Sequence, residues 1–192
     1  MYHKHHTKGV VVSSKVEGDS NRRVNIFTEN FGLINAKVQG ARNIQSKLRG
    51  GTQDLSLAEF SLIHGKTGWK VVSARADINL FEEFRNYQTK LKIVNNILYL
   101  INKLVSEEEA HSSVFSIISN FFNFLKNAED KDIASAECLT LLRILHSLGF
   151  MRHDPEFMIP MSSTEIGVED LEKIAPRRSK IIELINESLK AA

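Results

Sequence analysis

Five short β-patterned segments lie at nearly regular spacing in the first 76 residues, and this pattern limits the folds open to the chain more than any other feature. The segments are residues 8–16, 22–28, 33–38, 55–63 and 69–76. Apolar residues alternate with polar ones within them, as Ala58, Phe60 and Leu62 alternate with Glu59 and Ser61. Short strands separated by turn residues predict a small antiparallel barrel, and five strands in about 75 residues fit the OB-fold.

A basic loop with glycines at both ends separates the third segment from the fourth. It runs from Gly40 to Gln53 and carries three cations, and its first acidic neighbour is Asp54. Glycine allows sharp turns and close approach to a ligand, and clustered cations suit a phosphate backbone. The candidate nucleic-acid contacts are therefore Arg42, Lys47 and Arg49, assisted by Lys37, Arg22 and Arg23. The competing interpretation is a solvated surface loop, because exposure is the default for Lys and Arg.

Charge is divided unevenly along the chain. Residues 1–80 hold 12 Lys and Arg against 6 Asp and Glu, a net charge of +6, whereas the remainder holds 13 against 17, a net charge of −4. A polyanion would therefore meet the N-terminal part of the chain.

Aromatic residues that could stack on bases are few in the strand region. The candidates are Phe27, Phe31, Phe60 and Trp69, and packing in the core or at the rim of the barrel is the favoured interpretation for each of them. Trp69 is the best candidate for stacking because it follows a turn. Binding would then depend on phosphate charge, with weak sequence preference and strong salt dependence.

Helical patterns fill the second part of the chain. Apolar residues from Leu80 to Val105 recur at steps of three and four, which predicts one long helix with Asn79 as its N-cap. Ser106–Glu109 has the pattern of a capping box and predicts a second helix, rich in phenylalanine, to about residue 126. Further helices are predicted over about residues 130–148, ended by Gly149, then 168–174 and 176–189. The predicted class is α+β, with an OB-fold domain at 1–78 and an all-α domain at 79–192.

Several classes of function find no support in the sequence. Cys138, the one cysteine, lies in an apolar helical pattern and is expected to be buried and inert. Histidines 3 and 5 share one face of a strand but have no nearby Cys or carboxylate to complete a metal site. Phosphate-binding, nucleophile-elbow and zinc-protease motifs do not occur, so we expect no catalytic residues, no metal and no cofactor. No apolar run reaches the roughly 20 residues of a membrane span, and the expected location is the cytoplasm.

Six stretches of the sequence resemble the RecO family of recombination mediators. They are residues 8–14, 25–34, 38–42, 46–53, 55–60 and 141–150. The resemblance implies an N-terminal OB barrel followed by a helical domain. It also implies a non-enzymatic protein of DNA repair and recombination that binds single- and double-stranded DNA, anneals complementary strands and helps to load a recombinase. The implied partners are RecR and the C-terminal tail of the single-strand-binding protein.

One segment departs from the common pattern of that family. Many relatives carry a four-cysteine zinc module after the third helix, whereas residues 152–160 of this chain contain no cysteine. Zinc is therefore not expected there.

Two other functions fit the same sequence. The helical part would hold a partner peptide in a protein–protein adaptor, with the phenylalanine-rich helix as a groove and the barrel as a scaffold. Alternatively, the barrel would bind RNA, because OB-folds serve both nucleic acids.

Overall fold

The computed structural model describes residues 3–43, 45–151 and 161–191. The chain divides into two compact units, one ending at Ser112 and the other beginning at Ser113. The domain boundary predicted after residue 78 marks the change from strand to helix and stays a prediction.

Five strands close into a barrel in the first unit. They are β1 (Lys4–Glu17), β2 (Asn21–Thr28), β3 (Gly32–Val38), β4 (Ser56–Gly65) and β5 (Gly68–Asn79). Their order around the barrel is β1-β2-β3-β5-β4, in which β3 and β5 are parallel and β4 returns to β1. This arrangement confirms the predicted OB-type fold. β1 is longer than predicted because its first half pairs with β4 and its second half with β2.

The interior of the barrel is filled by the apolar residues of the alternating pattern. Strand residues alternate between the two faces of a sheet, so the inward positions of each strand are buried while their neighbours face outward. The buried set includes Val11, Val24, Ile26, Ile34, Ala36, Phe60, Leu62 and Val71.

Two helices follow β5 where one was predicted. Asn79 is the expected N-cap, and its side chain accepts a hydrogen bond from the backbone N–H of Glu82. The first helix, α1 (Leu80–Phe84), ends after five residues, and α2 (Gln88–Leu104) begins after a break at Tyr87, whose φ and ψ of −122° and 80° are not helical. The prediction of one long helix was therefore wrong. The apolar spacing continues through the break because both helices bury apolar residues, and spacing alone does not reveal a change of direction.

The predicted capping box at Ser106–Glu109 was also wrong, because α3 (Ser112–Asn127) begins later. Glu107 forms a parallel bridge with Leu33, and the backbone N–H of Glu108 donates to the carbonyl of Leu33 at 3.0 Å. The start of β3 precedes its pairing with β5, so it offers unpaired backbone groups that an extended segment satisfies.

The second unit contains α3, α4 (Asp130–Ser147), α5 (Val168–Ile174) and α6 (Arg178–Ala191). On α3 seven apolar residues are buried, which supports core packing for the phenylalanine-rich helix: Val114, Phe115, Ile117, Ile118, Phe121, Phe122 and Leu125. Gly149 ends α4 as predicted, with a φ of 78° and with hydrogen bonds from Gly149 N–H to His146 O and from Phe150 N–H to Leu145 O. No helix among the described residues is both long and apolar enough to cross a bilayer. The segment discussed for zinc, 152–160, lies outside the described residues.

Candidate nucleic-acid interface

Four cations stand in one row across the outer surface of the barrel. In the strand register Lys15 lies opposite Arg23, Arg23 opposite Lys37, and Lys37 opposite Lys70. Directly paired residues point to the same face, and neighbouring strands lie about 4.8 Å apart. The next residues along β2 and β3, Val24 and Ala36, are fully buried, so the row faces outward. We call Lys15, Arg23, Lys37 and Lys70 the cation row.

One carboxylate lies within the cation row. Glu17 Oε1 accepts from Arg23 at 2.8 Å, and its Oε2 lies 3.2 Å from Lys37 Nζ. Hydrogen bonds from Arg23 first and from Lys37 second hold the pKa of Glu17 below its usual value of 4.5. Two of the predicted contacts are thus partly neutralised, while among the described residues Lys15 and Lys70 form no ion pair.

A row of polar side chains runs beside the cation row on the same strands. Asn25 Nδ2 donates to Ser13 Oγ at 3.2 Å, and Asn35 Nδ2 donates to Asn25 Oδ1. Arg23 Nη1 donates to Asn35 Oδ1 at 3.1 Å, which connects the two rows. The three polar residues, with Ser14, Lys15 and Arg23, line a depression of about 150 Å³. Fixed amides and a hydroxyl beside cations suit a sugar–phosphate chain, whose oxygens accept hydrogen bonds.

A second group of predicted residues meets at one end of the barrel. Arg22, Arg42 and Arg49 line a cleft of about 240 Å³, together with Ala41 and Gln53. Arg42 Nη1 donates to the carbonyl oxygens of Asp19 at 2.9 Å and Gly18 at 3.3 Å, so the basic loop is tied to the turn between β1 and β2. We call Arg22, Arg42 and Arg49 the arginine cleft.

Five of the six predicted contacts therefore belong to two surfaces, and Lys47 belongs to neither. Arg22 and Arg23 are neighbours in β2 and point to opposite sides of it, Arg22 opposite the buried Val38 and Arg23 outward. Lys47 is exposed on the loop but lines neither the cleft nor the depression. Prediction of a single basic face missed this division, although period-two alternation was visible in the sequence.

Two members of the cation row were not predicted. Lys15 pairs with Arg23 through the short turn between β1 and β2, and the length of that turn was a usable signal. Lys70 joins the row only because β5 lies parallel to β3. That pairing brings together residues 33 positions apart, and no local pattern indicates it.

None of the four candidate aromatic residues offers an open ring on the barrel. Phe27 and Phe60 are buried, Phe31 is half-buried, and Trp69 is 9% exposed. Trp69 packs against Phe31, His5 and His64, and its Nε1 donates to Glu108 Oε1 at 3.0 Å. The packing interpretation of Trp69 is correct. His5 is part of this aromatic cluster, and the described residues contain no group of three or more potential His, Cys, Asp or Glu metal ligands.

The N-terminal part of the chain is similar to a known protein family. Residues 1–76 match the family model described as Recombination protein O N terminal. The chain is 28% identical over 144 residues to the DNA repair protein RecO of Acetivibrio thermocellus, covering 75% of this chain and 57% of that protein. The chain is thus similar to RecO proteins, most specifically over residues 1–76. The RecO protein of Halalkalibacterium halodurans is 26% identical over 69% of this chain and 51% of its own length. That of Synechocystis is 29% identical over 66% of this chain and 46% of its own.

The chain spans about half the length of the RecO proteins that it matches. The match to the family model covers β1 to β4 and most of β5, and it includes every member of the cation row and of the arginine cleft. Both basic surfaces therefore lie within the part of the chain that matches this family model.

Proposed function

We propose that this protein is a mediator of DNA repair and recombination that binds single- and double-stranded DNA through the cation row and the arginine cleft. The observation that carries the proposal is the strand register, which places four cations side by side in the part of the chain that matches the RecO N-terminal model. Relatives along most of the chain are named as DNA repair proteins.

Charge contact with phosphates explains how such a surface binds without reading sequence. The cation row offers charges at steps of about 5 Å, comparable to the spacing of phosphates along a strand. The barrel residues that could stack on bases are engaged in packing, so the bases of a bound strand stay free. A strand held by its backbone with its bases free is prepared for annealing to a complement, because bound cations also reduce the repulsion between two strands.

The remaining roles rest on the family. We propose that the protein acts without catalysis or cofactor and promotes recombinase loading on strands coated by the single-strand-binding protein. RecR and the C-terminal tail of that binding protein would be its partners, and it would work in the cytoplasm at the nucleoid. Competition between DNA and RNA oligonucleotides of equal length separates this function from RNA binding. Capture of partners after nuclease treatment separates it from an adaptor.

Salt-dependent DNA binding tests the proposal directly. Affinity for a fluorescent single-stranded oligonucleotide is measured over a salt series with Lys15→Gln/Lys70→Gln and with Arg42→Ala/Arg49→Ala. Each lost phosphate contact is expected to reduce the slope of log affinity against log salt by about 0.7 for a single strand. The matched control is Lys126→Gln/Lys190→Gln, which removes the same charge from exposed positions of the second unit. Slopes that stay at the parent value in both barrel variants would remove the two surfaces from the mechanism.

A further inference from the structure

The exposed face of α2 has a composition unlike an ordinary solvated helix face. At helical spacing around Tyr99 it carries four amides, two lysines and one tyrosine: Gln88, Lys92, Asn95, Asn96, Tyr99, Asn102 and Lys103. Solvated faces usually mix both signs of charge in Glu–Lys pairs. From residue 88 to residue 104 this helix contains no acidic residue.

The aromatic ring at the centre of this face is largely exposed to solvent. Tyr99 is 63% exposed, whereas the opposite side of α2 packs through Ile93, Val94, Ile97, Leu98 and Ile101. Lys103 Nζ lies 5.7 Å from the centre of the Tyr99 ring, one helical turn further along. Lys92 stands two turns before Tyr99 on the same face, and neither lysine forms an ion pair within the part of the chain that the structure describes.

A ring between two cations on one helix face matches the chemistry of a single nucleic-acid strand. Bases stack on aromatic side chains irrespective of sequence, and neighbouring lysines neutralise the phosphates on either side. Amides at the adjoining positions donate to phosphate or base oxygens, although Asn95 already donates to the backbone carbonyl of Leu91. An acidic peptide would satisfy the lysines but gives no reason for an open ring.

We infer that the exposed face of α2, centred on Tyr99 between Lys92 and Lys103, is a second binding surface for single-stranded nucleic acid that stacks a base on Tyr99. It lies outside the barrel and outside residues 1–76, and it does not require the cation row to bind DNA. In such a protein the barrel binds a strand through its phosphates, and the α2 face contacts bases.

The experiment compares two single-stranded ligands of equal length and charge, a thymidine oligonucleotide and an abasic one. Tyr99→Ala is expected to weaken binding of the thymidine strand about fivefold or more and to leave the abasic strand at the parent affinity, because only the former offers a base to stack. Tyr99→Phe, which keeps the ring, is expected to restore binding. Lys92→Gln/Lys103→Gln is expected to weaken both ligands and to reduce the salt slope.

The two proposals fail separately in this design. Lys15→Gln/Lys70→Gln removes contacts to phosphates alone, so it is expected to weaken binding of both ligands by a similar factor. Equal affinities of Tyr99→Ala and the parent for the thymidine strand would overturn the assignment of α2 while leaving the barrel untouched. The α2 face would then be either a protein contact or a solvated surface. Unchanged binding of both Lys15→Gln/Lys70→Gln and Arg42→Ala/Arg49→Ala, with loss in Tyr99→Ala, would instead overturn the barrel proposal alone.

Discussion

Glu17 controls how much charge the cation row presents. It lies beside Arg23 and Lys37, and those two cations lower its pKa, so it stays ionised to a lower pH than an ordinary glutamate. Its contribution to folding is therefore present above its usual pKa of 4.5 and is lost only as the pH falls through the lower value in the folded protein.

Replacement of Glu17 by glutamine is expected to strengthen DNA binding. Glu17→Gln removes the one negative charge bound to the row and frees two cations, so affinity for a single-stranded oligonucleotide should rise roughly two- to fivefold at 0.1 M salt, with a steeper salt dependence. Fluorescence anisotropy measures both. Glu59→Gln is the matched control, since Glu59 pairs with Arg75 between β4 and β5, away from the row. An equal gain in both variants would indicate an effect of net charge alone.

A buried ion pair connects α4 to the first turn of α5 in the second unit, and a hydrogen bond from the same arginine holds the loop before α5. Arg143 is 1% exposed, its Nη2 donates to Asp170 Oδ2 at 2.8 Å, and its Nη1 donates to the backbone carbonyl of Glu165. Burial lowers the pKa of Arg143, while the contact with Asp170 opposes that shift and keeps the guanidinium charged.

Asp170→Asn is expected to destabilise the second unit by roughly 3 kcal/mol, because it leaves a buried charge without its counterion. Urea unfolding measures the loss. The double variant Arg143→Met/Asp170→Leu removes both charges and is expected to recover part of it. A single variant as stable as the parent would show that water reaches Arg143.

At the scale of elements, residues 105–109 act as a strap on the open edge of β3. The backbone of Glu108 bonds to Leu33, its side chain accepts from Trp69, and it adopts a φ of 59°. Gly32 makes the close approach possible, since a methyl group there would collide with the backbone carbonyl of Glu109. This turn therefore requires glycine for two reasons, its φ of 64° and its close contact with the strap.

Two glycine replacements separate the strap contact from backbone strain. Gly18 has nearly the same φ, 65°, and open space around it. Gly18→Ala should cost only the strain of a left-handed residue, about 1–2 kcal/mol. Gly32→Ala should cost about 1–3 kcal/mol more, because the strap must move. Thermal unfolding followed by Trp69 fluorescence measures the loss of stability in both variants. Equal losses would mean that the strap moves away from residue 32 at no cost in free energy.

At the scale of the whole molecule, each compact unit contains its own natural probe. Trp69, the one tryptophan, lies in the barrel, and Cys138, the one cysteine, lies on α4. Burial raises the pKa of the Cys138 thiol to about 11, so the folded protein holds almost no thiolate at pH 8.

Cys138 is therefore expected to react with thiol reagents only after its unit opens. Because each unit has its own core, Asp170→Asn should speed labelling of Cys138 and leave the unfolding midpoint of Trp69 fluorescence unchanged. Gly32→Ala should instead lower the unfolding midpoint of Trp69 fluorescence and leave the labelling rate of Cys138 unchanged. The measurements are labelling rate at pH 8 and fluorescence in urea, and a shift of both signals in either variant would show that the units unfold together.

Local patterns in the sequence were sufficient to predict the barrel strands, the helical second part, the N-cap at Asn79, the end of α4 at Gly149 and the burial of Cys138. These features depend on periodicity and on the backbone preferences of single residues, which act locally. Three other features are visible only in the three-dimensional structure. Lys70 lies beside Lys37, Arg22 and Arg23 lie on different surfaces, and Glu108 bonds to β3 instead of starting a helix. Each of these depends on pairing between distant strands or segments, because the register of non-local backbone hydrogen bonds is set by closure of the barrel and not by the residues next to it in the chain.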